Sequence, residues 1–408
     1  MRINISKAYI FAVLLCLSDF LGFYKFLPLG SSLYKWDLIY AYILIFSIIF
    51  ILLKAGKENV SFWTKKIKYS IIGLMVLTLI EILLSSLNYK QSAFMLMKEA
   101  SYNIVFAVML YSFSIINFSF ITKEWLCKKI VLFSVLSSFS AILFFVLYSA
   151  FSFNPLQLSE NVTRNGTIRF GIGTGIVILA LIISFTKFLN KSATKLDVIN
   201  ILLGTIQIYY VNKTRSIILF LIILFCIIIL KTKRTNNLLK ISLFLLISVS
   251  VILVFFGNQY FAAYINDYVN NDYGLLNRSE AIVFYLNQFI HKPMFGMGYI
   301  GTDRSSVTSL LLYGPNGNYY RGDLGVIGLI DEYGIAGLIW TLYFLYGIYC
   351  MGKNTTIYAQ IIRFVVFYYV ISLVNLSFMD SERLLFVGIT ILLGFIVENQ
   401  KKGEIYDS

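Results

Sequence analysis

Charge is what this chain has least of. Only 13% of its 408 residues are charged, while 59% are hydrophobic and the mean hydropathy is +0.79. A soluble domain carries about 25% charged residues and cannot bury this much apolar surface. Cysteine is also sparse: Cys16, Cys127, Cys226 and Cys350 lie in or beside apolar runs, with no Cys-x-x-Cys pair. That implies no disulfide framework and argues against a structural zinc site. The four prolines, Pro28, Pro155, Pro293 and Pro315, all avoid the apolar runs. No run therefore carries the proline break expected of a transporter's discontinuous helices, and no internal repeat is evident. Arg2 and Lys7 precede the first apolar run without a small-x-small cleavage site, so a retained first helix is expected.

What remains is a series of apolar runs near 20 residues. Twelve spans are expected, at about 8–24, 38–54, 69–88, 102–120, 130–151, 170–189, 197–212, 216–231, 240–256, 333–352, 361–377 and 384–398. The fold class is thus an all-α polytopic membrane protein, with one large extracytoplasmic loop before span ten. Residues 1–256 form spans one to nine. Residues 257–332 form the loop, with an interfacial helix and a re-entrant segment, and residues 333–408 hold spans ten to twelve and a cytoplasmic tail. With the N-terminus inside, the cytoplasmic side collects 21 of the 34 basic residues, as the positive-inside rule requires. Both termini are then cytoplasmic. The net charge of +14 reflects this topology and implies no nucleic-acid partner.

The kind of basic residue changes with the side. Inside there are three arginines and 18 lysines; outside there are seven arginines and six lysines. Topogenic charge is Lys or Arg indifferently, but a planar fork that grips phosphate bidentately must be Arg. The outer set, which includes Arg164, Arg169, Arg215, Arg278 and Arg321, points to an anionic, phosphorylated ligand. Chance and snorkelling at helix ends are the competing explanation.

Individual residues narrow the candidates. In 169–175, RFGIGTG, Arg169 stands at the mouth of a span before Gly171, Gly173 and Gly175, which permit close approach of backbone or ligand. Lys213 and Arg215 fall on a turn between spans, beside Thr214 and Ser216 as caps or phosphate donors. Asn277 to Glu280 reads as a helix start, with Ile282, Tyr285, Leu286 and Phe289 on one face of the helix that follows. His291, the only histidine, is a candidate general base, although a lone His beside Pro at a helix end is more often a cap. Asp323 to Glu332 reads as a bent or re-entrant approach to span ten, carrying Asp323, Asp331 and Glu332 where acids are costly and usually functional. N-capping of span ten is the alternative for Asp331 and Glu332. Glu81, within span three, reads as a buried structural group.

These stretches together carry a resemblance. The order RFGIGTG, YYVNKTRS (209–216), NRSEA (277–281), FGMG (295–298) and DLGVIGLIDEYGIAG (323–337) resembles the polymerase branch of the O-antigen ligase and polymerase superfamily. This is the Wzy-type polymerase of O-antigen, capsule and exopolysaccharide pathways, and the likeness runs over the whole length. Polymerases of the family tend to show Arg, ten residues, then Gly in outer loops. Arg164 to Gly175 fits, whereas Phe289 stands at the matching place after Arg278. Ligases usually carry His near Gly322-Asp323, which favours the polymerase.

The resemblance implies a glycosyltransferase of the bacterial cytoplasmic (inner) membrane that needs no cofactor and no nucleotide sugar. A growing glycan on undecaprenyl pyrophosphate is transferred, with inversion, to a new lipid-linked repeat unit. The implied partners are that lipid-linked oligosaccharide, the lipid bilayer, a chain-length regulator and a flippase. Arg164, Arg169, Arg215, Arg278 and Arg321 are expected to hold the pyrophosphate. Asp323 is the first-choice base, kept ionised by Arg321, followed by Glu332, His291 and Asp331. An O-antigen ligase and a lipid-linked oligosaccharide flippase are the alternatives. The expected topology has a direct test: a cysteine at Asn318 should react with an impermeant thiol reagent in intact cells. Reaction only after permeabilisation would reverse the orientation.

Overall fold

The structure is a computed structural model that describes residues 4–22, 35–54, 65–116, 118, 121–151, 163–164, 167–168, 170–232, 273–301, 307–353 and 356–406. The expected span nine, 240–256, lies outside the described residues. The described chain is α-helical apart from one antiparallel pair, β1 (Thr163–Arg164) and β2 (Thr167–Ile168). The helices are α1 (Ile5–Ser18), α2 (Lys35–Lys54), α3 (Lys65–Tyr89), α4 (Ala93–Glu99), α5 (Ser101–Ser114), α6 (Lys123–Phe151), α7 (Thr174–Leu189), α8 (Lys195–Ile206) and α9 (Arg215–Lys231). From residue 273 onward come α10 (Tyr273–His291), α11 (Val307–Tyr313), α12 (Val326–Met351), α13 (Ile357–Ser372) and α14 (Ser381–Tyr406).

Four of these, α2, α3, α6 and α12, are long and apolar enough to cross a membrane. A fifth span forms if α4 and α5, bent by 60°, count as one. Helices α1, α7, α9 and α13 are apolar but shorter. The outward surface supports a membrane setting: Leu52, Leu83, Leu87, Leu202, Leu230 and Ile339 are all exposed on it. In lipid such side chains cost nothing, whereas in water they would form an apolar patch.

Polar groups glue the helices internally. Thr194 and Asp197 form a capping box that starts α8. Asp197 also pairs with Lys187 of α7 at 3.5 Å and accepts from Ser184 at 3.2 Å. Asn200 continues the network, donating to Ser184 at 3.1 Å and accepting from Ser134 of α6 at 2.6 Å. These bonds lock α6, α7 and α8 together. The glycine-rich start of α7 is part of the same packing. A Cβ on Gly173 would lie 2.1 Å from Ser137 Oγ, and one on Gly175 would lie 1.9 Å from the Phe386 ring. Close approach at these two glycines is therefore made by the protein's own helices.

The break in α12 organises the other half. Gly334 sits at φ 63°, ψ −162°, far from helical geometry. α12 holds no proline; glycine makes the break by reaching a backbone region closed to other residues. In an unbroken helix Ile335 and Ala336 would donate to the carbonyls of Asp331 and Glu332. Instead they donate to Pro293 (2.9 Å) and Met294 (3.1 Å). The freed carbonyls accept from Met297 (2.7 Å) and Gly298 (2.9 Å). The strap 293–298 thus replaces two helical bonds with four and answers both freed carbonyls and both freed amides named here.

The strap depends on glycine as well. Gly296 and Gly298 have φ of 68° and 74°, and a Cβ on Gly298 would lie 2.3 Å from Ser85 Oγ. Gly298→Ala should lower stability by roughly 1–3 kcal/mol through the strained φ and the overpacked contact. Gly171→Ala, which meets nothing within 4 Å and has an ordinary φ, should stay within about 0.5 kcal/mol. Denaturation midpoints of the two variants against wild type check this, and equal midpoints would contradict it.

Candidate functional site

The break carries a patch of polar chemistry into an apolar bundle. Arg321 begins a 3₁₀ turn, Arg321–Leu324, that precedes α12. Two bonds dock this turn on the connection between α13 and α14: Val326 N donates to Leu373 O at 2.8 Å, and Ser377 N to Gly322 O at 3.0 Å. Gly328 lets the turn fold back, since a Cβ there would lie 2.0 Å from Arg321 O. So held, the Arg321 side chain is only 9% exposed and points at the strap.

Arg321 Nε lies 2.6 Å from Asp331 Oδ2, and Asp331 is fully buried. Arg321 Nη1 donates to Gly298 O at 3.3 Å, and the guanidinium stacks 5.8 Å from the Tyr285 ring centre. The pairing is a close charge contact without hydrogen-bond alignment. Arg321 Nε and Nη2, and both carboxylate oxygens of Asp331, lack a hydrogen-bond partner within the described residues. A buried guanidinium with donors to spare is costly unless something else takes them.

That something has room. A cavity of about 230 Å³ is lined by Arg321, Gly322 and Glu332, with Glu99, Asp380 and the hydroxyl-bearing rings of Tyr102, Tyr299, Tyr313 and Tyr320. A buried network underlies it: Asn103 Nδ2 donates to Tyr299 OH at 2.6 Å, and Tyr333 OH donates to Tyr299 OH at 3.3 Å. Glu81 of α3 is buried behind Gly298, within electrostatic reach of Glu332, Arg321 and Lys292. Lys292 donates to Tyr89 OH at 3.2 Å; its ammonium is pushed below the usual lysine range by burial, with Glu81 acting in the opposite sense. Cation, carboxylates and tyrosines around one space suit a phosphate-bearing, hydroxyl-rich ligand.

The residues singled out from sequence divide sharply. Arg321 and Glu332 share the cavity. Asp323 does not line it; it faces Arg278 at 3.7 Å, and both side chains are nearly half exposed. The expected pairing of Arg321 with Asp323 is therefore replaced by Arg321 with Asp331, because the 3₁₀ turn and the first turns of α12 carry residues 321 and 331 onto each other. Asp331 and Glu332 do not cap α12, which starts at Val326 with Gly325 as its N-cap. His291 is exposed at the end of α10. Helix α10 begins at Tyr273, so Asn277 to Glu280 lies inside it and caps nothing; the expected face holds, with Tyr285 fully buried.

Arg215 is the first residue of α9 and Arg164 lies in β1, but their side chains, like the whole of Arg169, are outside the described residues. The segments around them do meet: Phe170 N donates to Val211 O at 3.2 Å and Asn212 to Thr174 at 2.9 Å. Sequence reasoning missed Glu99, Asp380 and the tyrosines. Each sits alone in an apolar run or loop, with no spacing that ties it to the others. Arg383, between α13 and the body of α14, is consumed structurally, donating to Leu376 O at 2.5 Å, to Ser377 O at 3.2 Å and to Ser372 Oγ.

No protein-family model matches the chain, and no curated protein matches it.

The two ion pairs make a quantitative contrast. Asp331→Asn leaves a buried arginine unpaired and should cost about 3–5 kcal/mol. Asp323→Asn removes only an exposed contact and should cost about 0–1 kcal/mol. Chemical denaturation in detergent reads both, and equal losses would mean that the buried pairing is wrong.

Proposed function

We propose that this protein is a Wzy-type polysaccharide polymerase of the bacterial cytoplasmic membrane. On this reading it has about 12 spans, cytoplasmic termini and the Arg321 cavity on the outer face. The observation that carries the proposal is the pairing, in one cavity, of a buried guanidinium with unused donors and the carboxylate of Glu332. The order of motifs described above supplies the family.

The chemistry follows from that pairing. A donor glycan is joined through its anomeric carbon to undecaprenyl pyrophosphate. Arg321 takes the pyrophosphate oxygens, where negative charge grows as the bond from carbon to oxygen breaks. Glu332 accepts the proton of an acceptor hydroxyl as that oxygen attacks the anomeric carbon from the opposite face. The products are a glycan longer by one repeat unit and free undecaprenyl pyrophosphate. Glu332 is thereby favoured over Asp323 as base, because Asp323 is committed to an exposed pair with Arg278 and does not line the cavity. Arg164, Arg169, Arg215 and Arg278 remain candidates for steering the lipid-linked substrates toward the cavity.

One observation favours a second reading, a lipid-linked oligosaccharide flippase. A broken helix with acids at the break is also how many transporters build a substrate site. Purified protein supplied with lipid-linked repeat units separates the two. A polymerase gives a ladder of longer products, and a flippase leaves the units covalently unchanged. Arg321→Lys keeps the charge but loses the fork, and should reduce the ladder strongly. Glu332→Gln should reduce the rate by about 10²- to 10⁴-fold, with Asp323→Asn near wild type. A normal ladder from Glu332→Gln would remove it as the base.

A further inference from the structure

A second cavity, of about 740 Å³, lies at the other end of the bundle from Arg321. Glu332 and Tyr349, both on α12, line one cavity each, and the unbroken helix from Ile335 to Tyr349 alone spans about 21 Å at 1.5 Å per residue. Three cations from three elements line this second space. Lys123 opens α6, Lys231 closes α9, and Arg363 is in the second turn of α13. Among the described residues no carboxylate lines it. Glu124 and Asp197 line a separate neighbouring cavity, where lysines accompany them.

Lys123 lies 5.6 Å over the ring of Tyr358, and three cations lining one space favour an anion within it. The start of α13 adds to the pull. Thr356 caps it, accepting from Ala359 N at 3.2 Å, and the first turn forms part of the wall, so the positive end of the helix dipole faces the cavity. The remaining wall is apolar, with the rings of Tyr349 and Phe367. Lys231 itself is exposed and Leu230 beside it is 69% exposed, so this end of α9 reaches the surface of the bundle. Charge at the ends of apolar helices and aromatic rings below it match an amphiphile at the bilayer boundary.

We propose that this cavity binds the headgroup phosphate of an anionic phospholipid, with the acyl chains leaving along the ring-lined wall. A free phosphate compound shares the headgroup chemistry but makes no use of the rings.

The test is native mass spectrometry of the purified full-length protein in micelles doped with phosphatidylglycerol or phosphatidylcholine. Wild type should retain phosphatidylglycerol in clear excess. Each cation near an anionic headgroup is worth several-fold, so Lys231→Gln/Arg363→Gln should lose roughly 20-fold of that retention. Lys90→Gln, an exposed cation beside Tyr89 at the opposite end, where Tyr89 bonds Met297 O, should behave as wild type. Size-exclusion elution and thermal unfolding check that the double variant is folded; if it is not, Lys231→Gln alone, at an exposed helix end, is read instead and should lose several-fold. Equal retention of the two lipids, or unchanged retention in the folded variant, overturns the proposal. Displacement of the lipid by an equal concentration of glycerol phosphate overturns the lipid assignment in favour of a soluble phosphate. Polymerisation plays no part in this readout, so its outcome is independent of the reading of the Arg321 cavity.

Discussion

Four backbone hydrogen bonds between the strap 293–298 and residues 331–336 hold together everything of chemical interest in this protein. A helix in an apolar bundle cannot simply stop, because each freed carbonyl and amide costs several kcal/mol when nothing answers it. Here a second segment answers four of them at once. The exchange needs a left-handed residue in the helix and two in the strap, and the chain supplies Gly334, Gly296 and Gly298. With the break fixed in this way, Asp331 and Glu332 are held at one level and Arg321 is folded back to meet them. Helix α10, carrying Tyr285, covers the guanidinium from outside.

The electrostatics sort by burial. Arg278 and Asp323 are charged and close, but water reaches both, so their attraction is worth little and easily exchanged. Arg321 and Asp331 are removed from water, where neither charge is tolerable without the other. Their geometry satisfies the charge balance and not the hydrogen bonds, leaving guanidinium donors unspent beside a cavity. The Arg321–Asp331 pair is neutral yet under-bonded, so a phosphate ligand would gain by supplying acceptors that the protein withholds, while Glu99, Glu332 and Asp380 on the same wall are left to meet hydroxyls.

Much of this was legible in the sequence, and the misses have definite causes. Apolar runs located the helices, because hydropathy over about 20 residues is a strong signal. The segment 323–337 stood out for its glycines and acids, and Arg321 and Glu332 were both marked. What could not be read was the pairing. Arg321 and Asp323 are two residues apart in sequence, but the 3₁₀ turn points them to different partners, and only tertiary contact brings Asp331 to Arg321. The FGMG stretch lends its amides to carbonyls 34 residues later, a non-local exchange invisible to local pattern. Asn277 shows the opposite error: a good capping sequence lies inside a helix because the residues before it also extend the helix.

The central claim is that the Arg321 cavity receives a phosphate-bearing, lipid-linked glycan. A prenyl pyrophosphate carrying a photoreactive diazirine beside the phosphates tests it directly, with adducts mapped by peptide mass spectrometry. The account predicts adducts concentrated in the cavity wall, on residues 299–301 and 312–322, and their loss in Arg321→Gln. Adducts confined to other segments, or unchanged in Arg321→Gln, would contradict it.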